Sequence, residues 1–165
     1  MEPGDIGEIV RLHGTLYAEE YGLDRRFEAE VAQNLGKAVR GGFPREGEGV
    51  WLEEREGRLL GGIFLIRQSA RIGRVRWFIL TPEARGQGLG RRLLAELMQA
   101  ARAYGYEHMW LETFSALEAA AHLYREAGFE LRGSEESTRW GPEIVVQSYE
   151  ARLGSSSTTA EASVS

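Results

Sequence analysis

The chain contains no cysteine, which excludes disulfides, thiolate metal sites and a cysteine nucleophile. No apolar run approaches the roughly 20 residues needed to cross a bilayer. The opening MEPGDIGEIV has neither the basic nor the apolar region of a secretory signal. The expectation is a cytoplasmic protein without a membrane partner. An excess of positive charge is also missing: 20 Lys and Arg stand against 25 Asp and Glu, a formal net charge of -5, which argues against a general grip on nucleic acid. Arginine nevertheless clusters between Arg67 and Arg92.

What is present fits one globular domain. The 165 residues are 42% hydrophobic and 27% charged, enough to bury a core and to keep its surface wet. Neither an internal repeat nor a composition shift marks a second domain, and the domain is expected over residues 1–153. The final GSSSTTAEASVS has nothing to bury, so residues 154–165 are expected to be a disordered tail.

The hydrophobic spacing predicts ten elements. GDIGEIVRLHGTLYAEEYG carries Ile6, Ile9, Leu12 and Leu16 at helical spacing with Asp5 as a cap, and DRRFEAEVAQNLGKAVRGG repeats the design behind Asp24. VWLEEREGRLLGGIFLIRQ reads as an antiparallel hairpin turning at Glu56-Gly57. In RIGRVRWFIL, Val75, Trp77 and Ile79 alternate with Arg74 and Arg76 until the pattern fails at Phe78 and Leu80, which predicts full burial or a bulge near the strand's end. Leu89, Leu93, Leu94, Leu97 and Ala101 trace one helical face ending at Gly105. YEHMWLETF reads as a strand, SALEAAAHLYREAG as a helix capped by Ser115, and FELRG and EIVVQSYEARL as closing strands. The order implies an α/β or α+β domain around one mixed sheet with helices on both faces. EIVVQSYEARL, taken as an edge strand, could pair with a second copy to give a homodimer.

The stretch LTPEARGQGLGRRLL joins a strand to a helix. A helix N-terminus carries unpaired N–H groups and about half a positive charge, and it favours anions, phosphates above all. Glycines at 86, 88 and 90 allow close approach to the backbone. The stretch is not a P-loop, because no lysine and hydroxyl pair follows. It is not a dinucleotide fingerprint either, because Arg91 stands where the third glycine is required. The glycines alone fit a plain turn equally well. Pro82, the arginines Arg85, Arg91 and Arg92 and the amphipathic helix behind favour a diphosphate site.

RGQGLG resembles the Arg/Gln-x-x-Gly-x-Gly/Ala motif of the GCN5-related N-acetyltransferase (GNAT) superfamily. HLYREAGFE, about thirty residues downstream, resembles its Leu-Tyr-x-x-x-Gly-Phe segment. The likeness in element order extends over residues 5–153. More narrowly, GDIGEIVRLHGTLYAEEYG and VVQSYEARL resemble the acetyltransferase half of proteins in which such a domain follows a MarR-type winged helix; here that half is expected to stand alone. The resemblance implies a mixed, mostly antiparallel sheet binding acetyl-coenzyme A as co-substrate, without a metal. It implies that the backbone of Phe78, Ile79 and Leu80 pairs with the pantetheine arm. Beside Arg85, the N–H groups of Gly86, Gln87, Gly88, Leu89, Gly90 and Arg91 would take the pyrophosphate.

The reaction implied is acetyl transfer to a primary amine by direct attack. An amine with pKa about 10.4 must lose a proton first, and the departing thiolate benefits from an acid. Tyr124 holds the family's position for that acid. For the base, Glu112 lies at a predicted strand end where some relatives carry a working glutamate, and Glu53 and Glu54 on the hairpin are weaker candidates. His13, His108 and His122 read as packed or surface histidines, His13 sharing a helix with Tyr17, Glu20 and Tyr21, which could face the acceptor. Leu117 replaces an asparagine of many relatives and removes one contact to the coenzyme. The acceptor is a small-molecule or peptide amine, and the acidic balance leans toward a cationic one. A non-catalytic acyl-coenzyme A sensor is the alternative.

Overall fold

The computed structural model describes residues 1–154. The expected tail therefore lies, but for Gly154, outside the described residues. Ten elements follow in the expected order: α1 (Asp5–Tyr21), α2 (Arg25–Arg40), β1 (Gly49–Arg55), β2 (Arg58–Arg67), β3 (Ile72–Leu80), α3 (Leu89–Ala103), β4 (His108–Phe114), α4 (Glu118–Glu126), β5 (Glu130–Ser137) and β6 (Ile144–Arg152).

Two of the three expected caps are displaced. Asp24 does cap α2, its carboxylate accepting the Arg26 N–H at 2.9 Å. Asp5, in contrast, is the first residue of α1, behind Gly4, and its carboxylate accepts the N–H of Glu2 instead. Ser115 does not cap α4: its N–H bonds to the Val145 carbonyl at 2.9 Å, which extends the β4–β6 ladder by one residue and keeps it in the strand's continuation. The helix starts only at Glu118, after Leu117. Glycine ends α1: Gly22 takes φ 69°, the left-handed conformation that closes a helix at no steric cost.

The strands form one sheet in the order β1-β2-β3-β4-β6-β5, and only β3 and β4 run parallel, joined across the sheet by α3. The expectation of β6 as an edge strand is thus corrected: it lies between β4 and β5, its backbone engaged on both sides. The edges are β1 and β5. One face buries Ile63, Leu65, Met109 and Leu111 against Leu93, Leu97 and Ala101 of α3 and against α4. The other packs Phe64, Trp77, Ile79 and Phe114 against Ile9 and Leu16 of α1 and Phe27 and Leu35 of α2. Each fully buried large side chain contributes roughly 1.5–3 kcal/mol over its exposed state.

Two irregularities in β3 shape the functional face. Gly62 pairs with Ile79 and Phe64 with Arg76, so Ile63 alone opposes Trp77 and Phe78, which defines a bulge. Trp77 sits there at φ 44°, a conformation that costs a non-glycine residue about 1–3 kcal/mol. The alternation therefore breaks at Arg76–Trp77 rather than at Phe78. Val75 joins the α3/α4 side, whereas Trp77 and Ile79 join the α1/α2 side. The second irregularity is a parting of strands. β3 and β4 pair only from Ile72 to Arg74, opposite His108 to Trp110, and beyond that register the two strands separate.

Candidate active site

Where β3 and β4 separate, a cleft of about 1040 Å³ opens. One end is formed by the turn between β3 and α3, the middle by β3, β4 and α4, and the far end by α1, α2 and Trp140. Apart from Gln87 and Leu89, the expected coenzyme-binding residues thus share a single space with Tyr17, Glu20 and Tyr21.

The turn follows a short 3-10 segment, Pro82–Ala84. Gly86 and Gly88 take φ 73° and 77°, and Gly88 is the N-cap of α3, with no side chain capping the helix and no acidic residue in its first turn. Among the described residues, the N–H groups from Gly86 to Arg91 have no backbone acceptor; the first to find one is Arg92, bonded to the Gly88 carbonyl at 3.0 Å. Six consecutive donors without backbone acceptors at the positive end of a helix make a setting that favours an anion. Gly86, Gly88, Gly90 and Arg91 line the cleft. Gln87 and Leu89 do not line the cleft but a small separate hollow, and the Gln87 amide donates to the Glu83 carbonyl at 2.7 Å. Arg85 is held by Glu20 at 2.9 Å, and Arg91 by Glu126 at 2.9 Å.

In the middle of the cleft, Phe78, Ile79 and Leu80 line the wall. Tyr124 is buried against Phe78, Phe129 and Tyr149, with ring centroids 5.9–6.2 Å apart. Burial, with a small contribution from Tyr17, pushes its hydroxyl well above the usual tyrosine range, so it keeps its proton at any physiological pH. Leu117 also lines the cleft. Glu112 lines it from β4, its carboxylate accepting from Arg139 at 2.6 Å. Glu53 and Glu54 do not reach it. Glu53 pairs with Arg92 at 2.7 Å beside the small hollow, and Glu54 belongs to the exposed end of β1.

The far end is aromatic. Tyr17, Tyr21, Phe27, Phe114 and Trp140 pack in a chain with centroids 4.8–6.5 Å apart. His13 stacks on Tyr17 and donates from Nδ1 to the Ile9 carbonyl at 2.8 Å, as its neutral tautomer requires. Burial lowers its pKa to about 4. His108 pairs with Glu150 at 2.7 Å outside the cleft, whereas His122, paired with Glu126 at 3.1 Å, lines it from α4.

The His13 shift has a sign that can be tested. The folded pKa lies below the unfolded one, so the stabilisation is complete above about pH 6.5 and is lost as pH falls toward 4. Between pH 7 and 5 the native protein should lose about 2 kcal/mol more stability than a His13→Gln variant, as read from urea midpoints. Parallel pH profiles for the two proteins would remove this histidine from the account of acid sensitivity.

Sequence reasoning missed the arginines on the cleft floor. Arg74 and Arg76 stand in register with Ile66 and Phe64, which pack on the α1/α2 side, and both line the cleft with Glu30, Asn34 and Trp140. The signal was present: two arginines alternating with apolar residues on a strand destined for burial.

The topology, with a splayed parallel strand pair and an N–H turn at its mouth, is shared with known acetyltransferases. Residues 15–129 match the Acetyltransferase (GNAT) family, and the chain belongs to that family and is an acetyltransferase. It is 32% identical over 115 residues to the uncharacterized N-acetyltransferase YjgM of Escherichia coli (strain K12), covering 67% of this chain and 68% of that protein. Among solved structures, a GNAT-family acetyltransferase of Staphylococcus aureus Mu50 superposes with a TM-score of 0.73 at 16% identity, over 93% of this chain and 96% of that one. A phosphinothricin acetyltransferase of Sinorhizobium meliloti, solved in complex with acetyl-coenzyme A, superposes with a TM-score of 0.69 at 23% identity, over 93% and 86%.

Proposed function

We propose that the chain transfers the acetyl group of acetyl-coenzyme A to a primary amine by direct attack, without a covalent enzyme intermediate. One observation carries this reading: the run of six N–H groups, Gly86 to Arg91, lacking backbone acceptors at the mouth of a cleft opened by the parting of β3 and β4. The residues present suit the co-substrate. Six donors and a helix N-terminus match a pyrophosphate. The exposed pairs of Arg85 and Arg91 are each worth at most about 1 kcal/mol and can yield to a phosphate. The unpaired edge of β3 over Phe78, Ile79 and Leu80 supplies backbone groups for a pantetheine amide.

Acetyl-coenzyme A supplies an activated thioester: a nitrogen–carbon bond forms, the carbon–sulfur bond breaks, and the thiolate must receive a proton. Tyr124, kept protonated by burial, donates it. Glu112 takes the proton released by the amine, directly or through water, at the end of the cleft where the acceptor arrives; Arg139 holds its carboxylate in place. The test is release of coenzyme A thiol from acetyl-coenzyme A with a panel of amines. Thiol release matched by N-acetylated product is expected. Glu112→Gln should lower kcat/KM by roughly 100-fold at neutral pH and recover part of the loss at high pH, where more amine is already unprotonated. Tight binding of acetyl-coenzyme A with no turnover on any amine would identify a sensor instead.

A further inference from the structure

We propose that the amine acceptor also carries an oxyanion on the same small molecule, and that Arg74 and Arg76 bind it on the floor of the cleft. The proposal rests on the acetyl-transfer reading above.

Two residues apart on one strand, the guanidinium-bearing positions are separated by roughly 6.6 Å along β3, on the face toward α1 and α2. Their cross-strand neighbours Ile66 and Phe64 offer no counter-charge. The arginines around the rest of the cleft are occupied: Arg85 by Glu20, Arg91 by Glu126 and Arg139 by Glu112. Among the described residues, Arg74 and Arg76 have neither an ion pair nor a side-chain hydrogen bond, and Nε of Arg74 is fully buried with no partner. Native proteins pair nearly every buried polar group, because an unpaired one loses its hydration without compensation. Two adjacent half-buried cations without a carboxylate between them form a receptor whose counter-ion comes from outside.

Their orientation fits that role. Arg74 lies over the Trp110 ring at 3.9 Å and Arg76 over the Trp77 ring at 4.7 Å. Stacking covers a flat face of each guanidinium and does not use its in-plane N–H groups, of which the Nη groups, unlike the buried Nε of Arg74, can meet an oxyanion from the cleft. Two carboxylates stand within electrostatic reach, but each is held elsewhere: Glu112 by Arg139, and Glu30 by the Trp140 indole N–H at 2.8 Å. They offer negative charge to an ammonium group and offset the arginines only through space, without an ion pair to either. Such a floor, with two free cations beside two held anions, is complementary to a zwitterion such as an amino acid. The wall of Phe27, Phe114 and Trp140 adds an apolar surface for its side chain. A polycation would meet Arg74 and Arg76 head-on, which reverses the lean toward cationic acceptors suggested by net charge alone.

The test uses matched compounds: each of the common amino acids, its carboxamide, its decarboxylated amine and, where available, its aminophosphonate. Thiol release with saturating acetyl-coenzyme A gives kcat/KM for each, and calorimetry of the protein loaded with coenzyme A gives binding of the same compounds. At least one amino acid or aminophosphonate should exceed its neutral counterpart tenfold or more, mainly through KM. The carboxylate and phosphonate arms then tell a planar from a tetrahedral oxyanion. Arg76→Gln should bring the ratio toward one while Arg76→Lys retains part of it, with unfolding midpoints confirming that both variants fold. Equal or better turnover of carboxamides and decarboxylated amines would overturn the proposal and leave the acetyl-transfer reading standing. If no compound is turned over, that reading fails, and the oxyanion site is decided by calorimetry: preferential binding of the anionic compounds supports it, and equal or undetectable binding overturns it.

Discussion

Replacing Tyr124 with phenylalanine is expected to lower kcat by about 10²- to 10³-fold while leaving KM for acetyl-coenzyme A nearly unchanged, in line with the loss of one positioned proton donor. The substitution removes a single oxygen. The ring keeps its contacts with Phe78, Phe129 and Tyr149, and no hydrogen bond to the hydroxyl is broken among the described residues, so the fold should survive. Because burial raises the tyrosine's pKa, the native enzyme should show no fall in kcat near pH 10 from ionisation of this group. Steady-state kinetics of both proteins across pH 7–10 check both parts. A Tyr124→Phe enzyme with native kcat would reduce Tyr124 to a packing residue.

Gly88→Val should weaken acetyl-coenzyme A binding by 100-fold or more. Gly88 takes φ 77° as N-cap of α3, a conformation that β-branched residues avoid at a cost of about 1–3 kcal/mol. To relieve it the turn must rotate, and the six N–H groups cease to converge. Hydrogen bonds to charged groups are worth about 1.5–3 kcal/mol each, so misaligning two of them costs about 3–6 kcal/mol, and each 1.4 kcal/mol is a factor of ten. Nothing lies within 4 Å of the position a Cβ would take at Gly88, so the loss would not come from a clash inside the protein. Gly90 differs, because its added Cβ would meet Leu80 and Leu123 at 3.1 Å and press on the core. Calorimetric titration of the Gly88 variant, set beside its unfolding midpoint, separates lost binding from lost fold.

The parts of this site that were legible in the sequence are those written locally. The strand, glycine turn and helix from Ile72 to Ala103 depend on periodicity and backbone freedom within thirty residues, and the turn's role follows from the helix it opens. Tyr124 could be named from its place within HLYREAGFE, and Glu112 from its place at the end of a predicted strand. Other features depended on what the chain meets in space. Ser115 looks like a cap in sequence, but its N–H had already been taken by β6. The closing strand looked like an edge because nothing local shows that β5 will flank it. The bulge at Trp77–Phe78 put Trp77 on the face opposite Val75, and only the pairing of the flanking residues with Gly62 and Phe64 locates it. Arg74 and Arg76 stood out as an alternating pair, yet their meaning depended on the absence of a carboxylate opposite them.

In the proposed reaction, residues 86 to 91 hold a diphosphate and the parting of β3 and β4 holds the arm leading from it to Tyr124. A crystal structure with acetyl-coenzyme A bound tests it most directly. Pyrophosphate oxygens are expected within hydrogen-bond distance of the N–H groups from Gly86 to Arg91, the pantetheine along Phe78 to Leu80, and the thioester sulfur within reach of the Tyr124 hydroxyl. A diphosphate seated away from that turn, or an acetyl group outside the cleft, would contradict it.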